Sequence, residues 1–207
     1  DTFKFMRSKK ITIAGIDAIA IRVSFTGDLG WEIYVPTEKQ LELYDALFEA
    51  GADLGIRPVG GRALGSLRIE KGYGSWGREY SPEYWPQEVG LDRLIKLDKP
   101  EFLGREAYIA LKDKAPRELL VSLELEVSHN ADATGGEPVF AKDGTPVGRV
   151  SSASYGYTVE KSLALCFIKT DYVKSGAEFD VAVLGIPHPA KLLDEPAFDP
   201  KGERLRG

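Results

Sequence analysis

The chain has 207 residues, of which 43% are hydrophobic and 29% are charged, a composition typical of a globular protein with one large domain or two small ones. Its net charge of −5 comes from 27 basic and 32 acidic side chains that are interspersed, which argues against binding to a nucleic-acid backbone. No apolar run is long enough to cross a membrane, and the single cysteine, Cys166, can form no internal disulfide. We therefore expect a reducing compartment, the cytoplasm or, in a eukaryote, the mitochondrial matrix, with neither nucleic acid nor membrane as a partner.

The first predicted elements are two short strands. Residues 11–14 and 18–23 are rich in isoleucine and alanine, and a turn that carries Gly15 and Asp17 joins them. This pattern predicts a β-hairpin. The hairpin leads through a glycine-rich turn into a third predicted strand, which begins near Trp31.

The third strand places one carboxylate among apolar neighbours. Successive side chains of a strand point to opposite faces, so Trp31 and Ile33 share one face while Glu32 and Tyr34 share the other. If this strand is central in its sheet, Glu32 is at least partly buried. A buried carboxylate needs a cationic neighbour, several N–H donors or a bound ligand that offers N–H groups. Glu32 is therefore a candidate binding residue, with a structural ion pair as the alternative.

Two helices are predicted next. Apolar residues recur at helical spacing after Thr37, which we expect to cap a helix that ends near Gly51 or Gly55. A second helix is expected from about residue 61 to residue 71. Strands followed by helices in this order indicate an α+β layer.

Two arginines, Arg62 and Arg68, lie on the second predicted helix. We expect Arg68 to emerge at an edge of that helix. Either arginine could anchor a substrate, and the alternative is a surface arginine paired with Glu70 or Asp92. The sequence leaves both roles open.

A loop rich in aromatic residues, glycine and proline spans residues 73–86. Large rings in an irregular segment either fill a gap in a core or line a pocket, and both interpretations stay open. After the loop we predict a strand at residues 94–97 and a helix near residues 104–112.

A domain boundary is predicted at the charged segment 112–116, which ends in a proline. It divides the chain into residues 1–114 and residues 115–207. The second part contains only short strand patterns, about five or six of them, and an Asp143-Gly144 turn of the hairpin type. We therefore predict a small barrel or sandwich there.

Motifs for several common chemistries are missing from the sequence. There is no metal-ligand spacing, no phosphate-binding glycine loop of the common types and no Gly-x-Ser-x-Gly element. The two histidines, His129 and His188, fall in predicted loops, where a solvated side chain is the expected role. We therefore expect neither a bound metal nor a histidine-based triad.

Four segments of the chain match the patterns of one family. They are residues 25–33 (FTGDLGWEI), 67–73 (LRIEKGY), 88–92 (EVGLD) and 96–106 (KLDKPEFLGRE). Together they resemble the aminomethyltransferase family, whose founding member is the T-protein of the glycine cleavage system. Within that family, residues 61–73, 147–152 and 161–165 look like the folate-binding part of dimethylglycine and sarcosine dehydrogenases. The resemblance covers nearly the whole chain.

This resemblance implies an α+β fold, with part of a ferredoxin-like α+β layer followed by a small antiparallel β-barrel. It also implies tetrahydrofolate as the cofactor. In the family, the carboxylate at the Glu32 position receives the pterin ring, whose 2-amino-4-oxo edge offers adjacent N–H donors. Phe25 and Tyr73 match positions that place rings beside the pterin, and Trp31 is a further candidate. Phe25 stands where T-proteins carry tyrosine, so the hydroxyl of that position is lost.

The chain departs from the family pattern in two respects. The family arginine that reaches the folate tail aligns with Leu64, so Arg62, two residues away, is only a substitute candidate. The family's catalytic aspartate belongs upstream of the residues present here, which begin at Asp1 without a methionine, as in a fragment or a processed product. We therefore expect an N-terminal half or a separate subunit to complete the fold, and we expect this chain alone to catalyse nothing.

The implied substrates are folate and a small amine or methyl donor. FAD is expected only if an upstream oxidoreductase domain exists. A folate-dependent S- or O-demethylase shares the scaffold and stays open as an alternative. A non-catalytic folate-binding protein that maintains iron–sulfur clusters would carry cysteine directly after Lys-Gly, where this chain has Tyr73. A purely structural or interaction module is the remaining alternative.

Overall fold

The structure is a computed structural model that describes residues 3–127 and 132–207. The chain forms two compact units, residues 1–65 with residues 199–207, and residues 66–198. The first unit contains a small sheet with helices, and the second contains a barrel, so the predicted α+β class with a small antiparallel barrel is confirmed.

The sheet of the first unit has three antiparallel strands in the order β1-β2-β3. The strands are β1 (Ser8–Ile13), β2 (Ile16–Ile21) and β3 (Glu32–Tyr34). Ala14 and Gly15 join β1 to β2 with φ values of 49° and 79°, the left-handed conformation of a two-residue hairpin turn. The predicted hairpin and third strand are confirmed, and β3 lies at an edge of the sheet.

The main helix of the first unit is α1 (Gln40–Gly51). The predicted cap at Thr37 is wrong, because Thr37 opens a short 3-10 turn that precedes the helix and makes no side-chain capping bond. The predicted end is confirmed, since a second 3-10 turn leads to Gly55 in the left-handed conformation, with φ 75°. The last element of this unit is α4 (Glu203–Arg206).

Helix α2 (Gly61–Glu70) contains the division between the two units, and the aromatic loop of residues 73–86 follows it. The predicted strand at residues 94–97 is wrong, because a 3-10 turn at Asp92–Leu94 is followed by irregular chain. The predicted helix after it is confirmed as α3 (Arg105–Leu111), which begins after Gly104 in the left-handed conformation.

The second unit is built around a closed six-stranded barrel in the order β4-β7-β6-β5-β8-β9, in which all neighbours are antiparallel. The strands are β4 (Glu118–Leu125), β5 (Pro138–Ala141), β6 (Pro146–Gly156), β7 (Lys161–Lys169), β8 (Glu178–Val183) and β9 (Ile186–Leu193). The barrel alternative is thus confirmed over the sandwich.

Buried side chains of several strands fill the barrel, among them Leu123, Val139 and Phe179. Cys166 belongs to this core, and burial raises the pKa of its thiol, which fits the expected role of a small core residue. The predicted loop position of His188 is wrong, because His188 lies on β9. The loop prediction for His129 concerns a residue outside those that the structure describes.

The described residues contain no helix long and apolar enough to cross a membrane. Nor do they bring together three or more histidine, cysteine, aspartate or glutamate side chains that could hold a metal ion. The predicted boundary between residues 114 and 115 stays a prediction.

Candidate functional site

The loop that leads into β3 is held by local contacts. The Gly27 N–H donates to Ser24 Oγ at 2.9 Å, and Gly27 has a φ of 87°, which favours glycine. Gly30 approaches the backbone closely, since a Cβ there would lie 3.0 Å from the carbonyl oxygen of Val23. The two glycines therefore allow the tight turn that delivers Glu32 to the start of β3.

The Glu32 side chain is exposed. The expected burial is wrong, because it required a central strand and β3 is an edge strand. The phenolic O–H of Tyr34, two residues along the same face, donates to Glu32 Oε2 at 2.6 Å. This hydrogen bond raises the pKa of the Tyr34 phenol, and it holds the carboxylate in one orientation.

Glu32 has no basic side chain within 4.0 Å among residues 3–127 and 132–207, so the alternative of a structural ion pair is not found there. Tyr34, its hydrogen-bond partner, lines a cavity of about 670 Å³ together with Ile19 and Lys10. A carboxylate has about four lone-pair sites, and the Tyr34 hydroxyl occupies one of them. Glu32 therefore keeps the capacity to accept two N–H donors from a ligand.

Two other candidate residues of the first unit carry exposed rings. Trp31 is 47% exposed and Phe25 is 39% exposed. The guanidinium of Arg22 lies 5.8 Å from the centroid of the Trp31 ring, and it also donates to the carbonyl oxygens of Phe3 and Arg206. Rings that face solvent beside a fixed polar group can stack on a planar ligand.

The two arginines of α2 have different environments. Arg62 is exposed, and among the residues described it forms no ion pair. Arg68 is buried and pairs with Glu79, with 3.3 Å between Nη1 and Oε2. The predicted edge position of Arg68 and its predicted pairing with Glu70 or Asp92 are therefore wrong, because a buried carboxylate of the aromatic loop draws the guanidinium inward.

Glu79 is fully buried and accepts hydrogen bonds at both carboxylate oxygens. Besides Arg68, Oε2 accepts the Ser75 N–H at 2.8 Å and the Ser75 hydroxyl at 3.2 Å. The hydroxyls of Ser151, at 2.7 Å, and Ser152 donate to Oε1. Burial raises the pKa of Glu79, but the bonds from Ser152, Ser75 and Ser151 and the charge of Arg68 outweigh it, so the pKa lies below its ordinary value.

A second buried carboxylate, Glu88, follows the aromatic loop. Arg117 Nε and Nη2 donate to its two oxygens at 2.8 Å and 2.7 Å, and the Trp85 N–H donates to Oε2 at 2.8 Å. The hydrogen bonds from Arg117 outweigh burial and hold the pKa of Glu88 below its ordinary value. The sequence did not predict this pair, since its partners are 29 residues apart and match no local pattern.

The rings of the aromatic loop have different environments. Tyr84 stacks on Phe167 of β7 with 3.9 Å between the ring centroids, and Trp85 lies 5.3 Å from the guanidinium of Arg117. Trp76 is 88% exposed, and Tyr73 has intermediate exposure. Tyr84 therefore packs against the barrel, whereas Tyr73 and Trp76 keep surface that a ligand can contact.

We expect acid to destabilise the protein through Glu79 and Glu88. Both pKa values are lower in the folded state than in the unfolded state, so the unfolded state takes up protons first as the pH falls. The stabilisation is complete above the ordinary glutamate pKa of about 4.3 and is lost as the pH falls below it, towards the folded-state values. Chemical denaturation between pH 3 and pH 7 measures this slope. The Glu79→Gln/Glu88→Gln variant should show a shallower slope, and an unchanged slope would refute the assignment.

Comparison with protein families gives two matches. Residues 1–99 match the model described as GCVT N-terminal domain, and residues 119–199 match the Glycine cleavage T-protein C-terminal barrel domain. The chain is 39% identical to mitochondrial dimethylglycine dehydrogenase of Rattus norvegicus over 207 residues, which are 100% of this chain and 24% of that protein. It is 33% identical to the aminomethyltransferase of Symbiobacterium thermophilum over 196 residues, 94% of this chain and 52% of that protein.

Among solved structures, the fold is similar to that of the glycine cleavage system aminomethyltransferase T from Bartonella henselae. The TM-score is 0.84 at 22% sequence identity, over 96% of this chain and 54% of that chain. At this identity the likeness concerns the fold alone. The chain spans about a quarter of the length of the dehydrogenase relatives and about half of the aminomethyltransferase.

Proposed function

The chain belongs to the glycine cleavage T-protein family, and from this premise we propose that it is the tetrahydrofolate-binding C-terminal half of a one-carbon transferase. Its relatives include a dimethylglycine dehydrogenase, a sarcosine dehydrogenase and an aminomethyltransferase, as their names state. The observation on this chain that carries the proposal is the carboxylate of Glu32, which is exposed, oriented by Tyr34 and without an ionic partner among the described residues.

The chemistry of Glu32 fits the pterin of tetrahydrofolate. A pterin presents two adjacent N–H donors on its pyrimidine edge, and one carboxylate can accept both in parallel. Each such charge-assisted bond contributes roughly 1.5 to 3 kcal/mol. The bond from Tyr34 restricts the rotation of the carboxylate before the ligand arrives, which lowers the ordering cost of binding.

The remaining candidate binding residues offer the folate either an aromatic ring or a positive charge. We propose that the rings of Phe25, Trp31 and Tyr73 contact the folate and that Arg62 reaches its carboxylate tail. Exposure of Phe25, Trp31 and Arg62 and the intermediate exposure of Tyr73 support these roles. Phe25 has no hydroxyl, so it can contribute only packing.

These residues bind and orient the folate. The transfer reaction itself requires the complete protein. Tetrahydrofolate, when bound, accepts the one-carbon unit. We propose that the catalytic aspartate lies upstream of this chain, and that FAD takes part only where an upstream oxidoreductase domain exists. The one-carbon unit would come from a small amine or methyl donor. The compartment we propose is the cytoplasm or the mitochondrial matrix.

We propose that an N-terminal half or a separate subunit completes the first unit. The sheet of the first unit has β1 and β3 as outer strands, which offer unpaired backbone groups in the described part of the chain. Several large apolar side chains of this unit are also exposed. Exposed apolar surface of this kind is typical of a contact with another protein segment. The exposed side chains are Ile19, Tyr34, Leu41, Tyr44, Leu54 and Val59.

We expect Glu32→Gln to weaken tetrahydrofolate binding tenfold or more, about 1.4 kcal/mol per decade. A neutral amide presents one acceptor and one donor, so its N–H₂ group meets one pterin N–H instead of accepting from it. The measurement is calorimetric titration of tetrahydrofolate into the complete full-length protein.

The matched control is Glu38→Gln, which neutralises another exposed glutamate of the same unit and should leave the affinity unchanged. Equal affinities for wild type and Glu32→Gln would overturn the assignment of Glu32. Absence of folate binding by the wild type would overturn the proposed function itself.

A further inference from the structure

The main chain from Tyr73 to Ser75 is held at four polar groups. The Tyr73 N–H donates to the carbonyl oxygen of Arg68 at 2.9 Å, and Arg68 Nη1 donates back to the Tyr73 carbonyl oxygen at 3.0 Å. The Gly74 N–H donates to the Tyr80 hydroxyl at 3.2 Å, and the Ser75 N–H donates to Glu79 Oε2 at 2.8 Å. These hydrogen bonds therefore fix the backbone conformation of the loop around Tyr73.

Close packing fixes the same segment sterically. A Cβ at residue 74 would lie 2.7 Å from Glu79 Cβ and 2.9 Å from Tyr80 Cζ, so only glycine fits between these side chains. The Tyr80 N–H in turn donates to the Ser75 carbonyl oxygen at 3.1 Å. The turn that follows Tyr73 is therefore closed on itself by both hydrogen bonds and packing.

Glu79 anchors this turn to the barrel. One oxygen binds the turn and Arg68, while the other accepts the hydroxyls of Ser151 and Ser152 on β6. All the groups involved are buried or half-buried in the second unit, so solvent competes with these hydrogen bonds less than it would at an exposed site. Arg68 and Glu79 thus tie the backbone of Tyr73 to strand β6 of the barrel.

We propose that Arg68 and Glu79 are positioning residues for folate, which fix the ring of Tyr73 in the orientation that binding uses. This inference rests on the proposed function, in which Tyr73 contacts the folate. Neither residue needs to touch the ligand. A backbone held at four groups leaves only the side-chain torsions of Tyr73 to be ordered when folate binds, which lowers the ordering cost of binding.

The test is a double-mutant cycle on the complete full-length protein, with tetrahydrofolate affinity and thermal stability measured for each variant. Glu79→Gln should weaken folate binding by about tenfold in the presence of Tyr73. In a Tyr73→Ala background the same substitution should change the affinity less than about twofold, because the ring it positions is gone. Its loss of thermal stability should persist in both backgrounds.

The matched control is Glu88→Gln, which changes another fully buried, arginine-paired carboxylate near the same loop. It should lower the thermal stability but leave the folate affinity unchanged. If Glu79→Gln does not fold, Arg68→Lys is the second variant. It keeps a positive charge beside Glu79, but the shorter lysine side chain should lose the hydrogen bond to the Tyr73 carbonyl oxygen. We expect a several-fold loss of folate affinity.

Two results would overturn the inference while leaving the proposed function intact. One is folate binding by the wild type with equal effects of Glu79→Gln and Glu88→Gln on affinity. The other is independent, multiplying losses for Tyr73→Ala and Glu79→Gln.

Discussion

Replacing Glu79 with alanine is expected to lower the free energy of unfolding of the unit that contains the barrel by about 3 to 5 kcal/mol. The substitution leaves Arg68 buried beside an empty position and removes the acceptor of four further donor groups on Ser75, Ser151 and Ser152. Buried donors without acceptors keep their full desolvation cost, which is why the loss exceeds that of an ordinary hydrogen bond. Urea denaturation of the complete protein, followed by tryptophan fluorescence, measures it.

An ion pair at the barrel surface supplies the control for this effect. Lys161 Nζ lies 2.7 Å from Glu124 Oε2, and both side chains are substantially exposed. Glu124→Ala should therefore cost less than about 1 kcal/mol. If Glu79→Ala were as mild as Glu124→Ala, the buried network would not hold the loop on the barrel.

Gly148→Ala is expected to destabilise the barrel by about 3 kcal/mol or more. Gly148 lies on β6 opposite Ile168 of β7, where the strands approach so closely that an added Cβ would overlap the carbonyl oxygen of Phe167. The same Cβ would lie 2.7 Å from Cδ1 of Ile168. Because the main obstacle is backbone, relief requires the strands to separate and their hydrogen bonds to lengthen.

The matched substitution is Gly65→Ala on α2, where nothing lies within 4 Å of an added Cβ. It should leave stability unchanged or raise it by about 0.4 to 1 kcal/mol, because alanine restricts the unfolded chain. Thermal unfolding of both variants gives the comparison. A Gly148→Ala protein with the stability of the wild type would show that β6 and β7 are not as close as described.

Local patterns predicted the elements whose packing follows from period and turn chemistry. The β1–β2 hairpin followed from two β-branched runs around Gly15, and the helix that leads to Gly55 followed from apolar spacing. The strand predicted at residues 94–97 is wrong because a short apolar run occurs in irregular segments as readily as in strands.

The environment of the candidate residues could be predicted only in part. Alternation along β3 correctly placed Tyr34 on the face of Glu32, where the two side chains are hydrogen-bonded. The burial of Glu32 depended on the position of β3 in the sheet, which alternation alone does not give. The pairing of Glu79 with Ser151 and Ser152 joins residues 72 and 73 positions apart, a distance that no motif in the sequence bridges.

The most direct test of folate recognition combines a change in the protein with a change in the ligand. A tetrahydrofolate analogue that lacks the 2-amino group is titrated into the complete protein, as wild type and as Glu32→Gln. If Glu32 accepts the pterin N–H donors, the wild type should bind the analogue about tenfold or more weakly than tetrahydrofolate, and Glu32→Gln should discriminate far less. Equal discrimination by the two proteins would contradict the assignment of Glu32 as the pterin-binding carboxylate.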